Sequence, residues 1–340
     1  MNGPVESRGD STGRVLRAAV IGVGYLGRIH AIKYQQIPQV DLVAVVDQQA
    51  QQVRRVGEEL SVPGYLDYTD IFPLVDLVTI ATPTHSHFAI AADCLRAGLH
   101  VLLEKPMTTT LAEADALVEL AEQAGRVLQI GHLKRFHPTV AALAEGGLLR
   151  DPRFIEAVRL APFKSRSLDL DVVLDLMIHD IDLILQFFQS TVVDLDAVGM
   201  SVVTDQVDVA NARMRFQNGC VANVTASRVS REAVRRMKIF QSDGFFTLNF
   251  LQNDLSLVRK GEQRVTIQGT EVGVLEETTL PVRAYDTLEA EVSAFCTAVR
   301  QGLPPLVSGR DGRQALQVVT MIRQAIHQAG ALAVDVSPRD

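Results

Sequence analysis

Arg17-Ala18-Ala19-Val20-Ile21-Gly22-Val23-Gly24-Tyr25-Leu26-Gly27 decides the fold of this chain. Its first half is almost wholly apolar, as a buried parallel strand is, and it runs straight into glycines. Gly22 to Gly27 spells G-x-G-x-x-G, a pattern that permits a tight turn, close approach of backbone N–H groups to a pyrophosphate, and tight packing of the following helix on the strand. By itself that pattern is weak. Here it follows a strand, precedes a helix beginning near Tyr25, and is followed by a second strand, Val40 to Val46, that ends at Asp47 about 20 residues beyond the last glycine. Gly22, Gly24, Tyr25, Leu26 and Gly27 are therefore the expected pyrophosphate-binding turn of a dinucleotide site. The plainer reading is a glycine turn in another α/β domain, with Asp47 as a helix cap. An acid at that strand end accepts hydrogen bonds from ribose hydroxyls and repels a 2′-phosphate, so NAD is expected rather than NADP.

Outward from this stretch the alternation continues. Helical patterns cover Gln49 to Leu60, Ser86 to Ala97 and Leu111 to Ala124, the last two closed by Gly98 and Gly125. Apolar strand runs cover Asp76 to Ala81, His100 to Leu103 and Val127 to Gly131. The reading is a doubly wound parallel sheet over residues 15–134, with 1–14 a flexible polar leader. Ligands of such sheets bind at the carboxyl ends of strands. Those ends read Thr82-Pro83-Thr84-His85-Ser86-His87, Glu104-Lys105-Pro106 and Gly131-His132. Thr82, Pro83, His87, Glu104, Lys105 and His132 are thus further candidate cofactor contacts. Lys105 stands where substrate and nicotinamide would meet, and Pro106 holds it extended; as a surface lysine it would simply pair with Glu104. For His85 and His87, helix capping and surface polarity are favoured over metal binding, because no thiol or acid is spaced to complete a site.

Residues 135–340 read as a second, α+β domain. A strand at Arg153 to Leu160 leads through the loop Lys164-Ser165-Arg166-Ser167 into Asp171 to Gln186, apolar at nearly every position except a stripe of Asp171, Asp175, His179, Asp182 and Gln186, with Asp180 alone pointing the other way. A helix apolar around most of its circumference is buried, so the stripe must pair with something or line a cavity. A carboxylate and an imidazole one turn apart suit general-base chemistry, although a cap or a buried ion network would look the same. Alternating segments follow: Val192 to Val203, Val207 to Gln217, Cys220 to Ser227, Met237 to Gln241, Phe245 to Phe250 and Leu255 to Arg259. Asn218-Gly219 between two of them is a hairpin signal. They imply an open, largely antiparallel sheet with helices on one face and an apolar, β-branched face that a second subunit could cover. Helical patterns over Thr287 to Val299 and Asp311 to Ala329 close the chain.

Composition narrows the function classes. A net charge of −7 gives no electrostatic footprint for nucleic acid, and the only basic cluster is Arg228, Arg231, Arg235, Arg236 and Lys238. No apolar run reaches transmembrane length and the first residues lack a signal-peptide core, so a cytoplasmic location is expected. Cys94, Cys220 and Cys296 are odd in number and far apart, which argues for buried thiols rather than disulfides or zinc.

Taken together, Gly22 to Gly27, Thr82-Pro83 with His87, Ala97 to Pro106 and Asp175-x-x-x-His179-x-x-Asp182 resemble the Gfo/Idh/MocA family of nicotinamide-dependent sugar and polyol oxidoreductases. The resemblance covers nearly the whole chain. It implies NAD as cofactor, a sugar or sugar-nucleotide substrate, and Lys105, Asp175 and His179 as the catalytic group. Which of Lys105 and His179 is the base stays open. Met177 departs from the small residue common in the family, and bulk there would narrow a sugar pocket. A substrate carrying a nucleotide diphosphate would need cations beyond Lys105; Lys164, Arg166 or the Arg228 to Lys238 cluster could supply them, with Asp182 a further substrate contact. An inositol or simple aldose dehydrogenase is the rival within the family, and a non-catalytic NAD-binding regulator the rival outside it.

Overall fold

The structure is a computed structural model that describes residues 14–164, 170–268 and 270–330; the leader up to residue 13 and Arg166 lie outside the described residues. The chain divides into two compact units, Met1–Leu133 with Asp286–Leu316, and Lys134–Tyr285 with Gln317–Asp340.

The first unit begins β1 (Leu16–Ile21), α1 (Tyr25–Gln36), β2 (Val40–Val46), α2 (Ala50–Leu60), β3 (Gly64–Tyr65), β4 (Leu77–Ile80), α3 (Thr84–Arg96), β5 (His100–Leu103), α4 (Leu111–Ala124) and β6 (Leu128–Ile130). All pairings are parallel and the order is β3-β2-β1-β4-β5-β6, so the sequence doubles back at β1. That reversal opens a crevice at the strand ends. Ala18, Val20, Leu77 and Leu102 are fully buried, as strands covered on both faces must be. Thr110 and Glu113 start α4 with a reciprocal capping box, and left-handed Gly125 ends it.

The second unit contains α5 (Pro138–Glu145), β7 (Phe154–Leu160), α6 (Ile178–Phe188), β8 (Val192–Met200), β9 (Val209–Phe216), β10 (Val221–Ser227), β11 (Val234–Gln241), β12 (Gly244–Asn249), β13 (Asp254–Ile267) and β14 (Thr270–Thr279). Its sheet runs β14-β13-β12-β11-β7-β10-β9-β8 and is antiparallel except where β10 meets β7. Ile155, Ala157, Met237, Ile239, Ala222 and Val224 form its buried face. The opposite face is mixed rather than apolar as the sequence suggested. Arg213 bonds Asn223 and Asn211 bonds Thr225 on one side, while Phe154, Phe240 and Phe245 cluster on the other.

One boundary differs from the sequence reading, which gave everything after residue 134 to the second domain. The helix α7 (Thr287–Gln301) and the start of α8 (Gly309–Ala329) belong with the first unit. Leu288, Val292, Phe295 and Cys296 complete the core formed by Leu16, Ala31, Tyr34 and Leu42. Each fully buried large side chain contributes about 1.5–3 kcal/mol. The Ile130 N–H bonds the Val307 carbonyl at 3.0 Å, and Arg313 pairs with Asp115 at 2.7 Å. Chain order concealed this return. The three cysteines are free and buried, with Cys94 and Cys296 thiols pushed by burial up to about 12.

Candidate active site

In the first unit the glycine turn is set by close approach. A Cβ on Gly27 would lie 1.8 Å from the Gly22 carbonyl oxygen, and Gly22, at φ +87°, would meet Ala81 at 2.8 Å. Gly24 differs: a Cβ there meets nothing within 4 Å. It caps α1 without any side-chain acceptor, so the helix start presents backbone donors toward open space. Tyr25 is 76% exposed beside it. Asp47 is held from both sides, accepting the Val23 N–H at 2.9 Å and the Gln49 N–H at 2.9 Å. A cavity of about 640 Å³ is bordered by Gly22, Gly24, Asp47, Thr82, Pro83 and Ser86.

The strand tips are built by buried polar contacts. His87 is 1% exposed, not a surface cap, and its ring nitrogens lie 2.8 Å from the Thr82 carbonyl and 2.9 Å from the Pro106 carbonyl. Burial pushes its imidazole pKa down against the pull of those carbonyls. It therefore stitches the β4 turn to the β5 turn. His85 at the same helix start is exposed. Lys105 precedes Pro106 through a cis peptide bond. Its N–H donates to Glu104 Oε2 at 3.2 Å, while Glu104 Oε1 lies 2.8 Å from His30 Nε2. A Cβ on Gly131 would come within 2.9 Å of Glu104 Oε2, so that glycine makes room for the carboxylate; His132 beside it is buried.

Behind this pair sits Glu291 of α7, wholly buried, its carboxylate within 4.8 Å of His30 and Glu104 ligand atoms. Burial and then the charge of Glu104 push its carboxyl well above the usual range, which favours the protonated form. Sequence reading missed both His30 and Glu291. The available signal was a polar residue on a buried helical stripe: His30 lies with Gly27, Ala31 and Tyr34, and Glu291 with Leu288, Val292 and Phe295.

In the second unit the helix expected over Asp171 to Gln186 opens with a π turn, Val173–Met177, closed by an Ile178 N–H to Val173 carbonyl bond. The wider turn shifts the register of the stripe, a change that side-chain periodicity does not reveal. Asp171 leaves the stripe to cap: one oxygen accepts the Val173 and Leu174 N–H groups at 3.0 Å, and the other meets Arg323 at 2.6 Å. Asp182, expected at the substrate, is fully buried with both oxygens on Arg135 at 2.7 and 2.9 Å. Asp180 is likewise bound by Arg159 at 2.7 Å through both oxygens. Asp175 and His179 remain half-buried; Met177 is fully buried. Lys164 is exposed, and Arg166 lies outside the described residues.

A parallel sheet that doubles back at a glycine turn, with an acid ending β2 and a lysine ending β5, defines a dinucleotide-dependent oxidoreductase. The chain belongs to the Gfo/Idh/MocA oxidoreductase family. Residues 16–132 match the family's NAD-binding Rossmann fold and residues 144–247 its C-terminal domain. The chain is 43% identical over 311 residues to a UDP-N-acetylglucosamine 3-dehydrogenase of Acidithiobacillus ferrooxidans, covering 92% of this chain and 97% of the relative. The solved structure of that enzyme superposes with a TM-score of 0.86 at 42% identity, covering 92% of this chain and 98% of the other. A myo-inositol 2-dehydrogenase of Thermotoga maritima is 27% identical, covering 94% of this chain and 99% of its own.

NAD is the family's cofactor, and the first unit fits it: open space at Gly24, backbone donors at the start of α1, and an acid at the end of β2. Among the described residues no helix is long and apolar enough to cross a membrane.

Proposed function

We propose that this chain oxidises the 3-hydroxyl of UDP-N-acetylglucosamine, in the cytoplasm and as a homo-oligomer. The observation that carries the substrate is the 43% identity, over 92% of the chain, to an enzyme of that activity. It is supported by the presence of Lys105, Asp175 and His179, which a regulator that had only kept the fold would not need. NAD, when bound, supplies the acceptor for the hydride that leaves the carbinol carbon. His179 takes the hydroxyl proton, because neutral imidazole titrates near working pH. Lys105 donates a hydrogen bond to the same oxygen and stabilises the negative charge that develops on it. Asp175, preceding His179 by one turn, orients the imidazole or a neighbouring hydroxyl. The products are the 3-keto sugar nucleotide, NADH and a proton.

Glu104 holds the start of the lysine's turn through its bond to the Lys105 N–H. Gly22 to Gly27, with Tyr25 and Leu26, hold the cofactor diphosphate; Asp47 takes the adenosine ribose and favours NAD over NADP; Thr82, Pro83 and His132 border the nicotinamide side. The deciding experiment is incubation with NAD and a panel of UDP-sugars, free sugars and inositols, read as NADH absorbance. Formation of NADH with UDP-N-acetylglucosamine above the other substrates is expected. Rapid oxidation of inositol with no response to any UDP-sugar would remove the substrate assignment.

A further inference from the structure

At one end of the second unit's sheet, three cations gather around one carboxylate. Arg159 on β7 and Arg235 on β11 are direct partners in the antiparallel register. Both follow the alternation of Ala157 and Met237, so both project from the helix-covered face. Arg159 is committed, with its guanidinium doubly bonded to Asp180 at 2.7 Å and both residues buried. Lys134 stands in the short 3₁₀ turn Leu133–Phe136, next to Arg135, which is itself tied to Asp182 of α6. Burial, then the nearby charges of Arg159 and Arg235, push the Lys134 amine down to about 8 in spite of Asp180. Burial and Arg159 lower Arg235 as well. His137, the remaining titratable neighbour, is pushed by burial and Lys134 down to about 4 and adds no charge near neutrality.

Among the described residues no carboxylate bonds to Lys134 or Arg235, and Asp180 is already used by Arg159. Two partly buried positive charges are therefore left to share the one Asp180 carboxylate with Arg159, an arrangement that costs stability until an anion arrives. Its place in the fold is fixed by α6, because Arg159 is held by Asp180 and Arg135, next to Lys134, by Asp182 of the same helix. The rest of the basic cluster is otherwise engaged or placed. Arg228 is spent on Asp208 and the Leu170 carbonyl, Arg231 and Arg236 are exposed, and Lys238 lies over Phe245 on the opposite face.

We propose that Lys134 and Arg235 form a phosphate-binding subsite for the diphosphate of the sugar-nucleotide substrate, with Arg159, braced by Asp180, beside them. This rests on the sugar-nucleotide reading above. An ammonium and a planar guanidinium suit two phosphoryl groups, and a neutral polyol would offer them nothing. The subsite is a binding device, so it acts on ground state and transition state alike.

The test uses the full chain saturated with NADH, which fills the cofactor's own diphosphate site. Titration calorimetry with inorganic pyrophosphate, UDP and N-acetylglucosamine should show binding of the first two that weakens with salt. Lys134→Met and Arg235→Gln should each weaken both by about tenfold or more, and Lys134→Arg should restore most of the loss. The KM for the UDP-sugar should rise by a similar factor while kcat stays within about twofold. Because it removes an uncompensated charge, Lys134→Met should also raise Tm, a readout independent of any ligand.

Unchanged affinities in both charge-deleting variants, or no binding of pyrophosphate and UDP to the unaltered protein, overturn the subsite. If UDP-sugar is oxidised with KM unaltered in both variants, the substrate reading stands and the subsite falls. Pyrophosphate binding that is lost in the variants, in a protein that oxidises no UDP-sugar, keeps the subsite and removes the substrate.

Discussion

Val23 and Asp47 are joined across the glycine turn: the Val23 N–H donates to Asp47 Oδ2 at 2.9 Å, which ties that turn to the end of β2. The other carboxylate oxygen accepts the Gln49 N–H, so the side chain is held from both sides, as the proposed ribose contact requires. Asp47→Ala should therefore do two things, narrowing the preference for NAD over NADP and loosening the turn by about 1 kcal/mol. Kd values for both cofactors, with thermal unfolding alongside, check this. An unaltered NAD-to-NADP ratio would take the ribose role away from Asp47.

Lys105→Met and His179→Asn separate chemistry from cofactor binding. Loss of a positioned base lowers turnover by about 10²–10⁴-fold, and loss of a charge-stabilising donor has a comparable effect. Neither residue belongs to the glycine turn, so the Kd for NAD should stay near that of the parent. Full activity in either variant excludes that residue from the mechanism.

Asp182 braces α6 through Arg135. With Arg135 7% and Asp182 0% exposed at their side chains, removing the acid takes both carboxylate bonds away from a buried guanidinium. Asp182→Ala should cost about 3–5 kcal/mol of stability, visible as a large fall in Tm. A variant of normal Tm with a raised KM would return Asp182 to the substrate.

Glu291 predicts a stability that falls as pH rises above the ordinary carboxylate range. Its folded pKa is raised above the ordinary 4.5 by burial and by Glu104. The folded state therefore holds a proton that the unfolded chain releases. This contribution is fully present below the unfolded pKa and is lost as pH rises toward the folded value, by at most about 1.4 kcal/mol per pH unit. Glu291→Gln removes the titration, so its Tm should gain on the parent as pH rises above the ordinary carboxylate range. Parallel Tm profiles would show that Glu291 does not hold the proton.

Much of this arrangement is written locally. The glycine turn, Asp47, the Thr110–Glu113 capping box and Lys105-Pro106 each occupy a few consecutive residues or follow one period, so spacing identifies them. The parts that stayed hidden depend on distant partners. Nothing near Asp182 announces Arg135, 47 residues away, and Asp171 meets Arg323 across 152 residues. The π turn at Val173–Met177 leaves the apolar pattern intact while shifting its phase. β14 is mostly exposed and consists largely of glutamate and threonine, so it has no apolar alternation to detect. α7 returns to the first unit through Val292 and Phe295, which read like any other apolar stripe.

Oxidation at one carbon of one sugar nucleotide is tested most directly with UDP-N-acetylglucosamine deuterated at the sugar carbon that bears the 3-hydroxyl, incubated with NAD and the full-length protein. Deuterium should be recovered in NADH, the nucleotide product should be the 3-keto sugar, and His179→Asn should form neither. NADH carrying no deuterium, or no NADH at all while a free polyol is oxidised, would contradict that reaction.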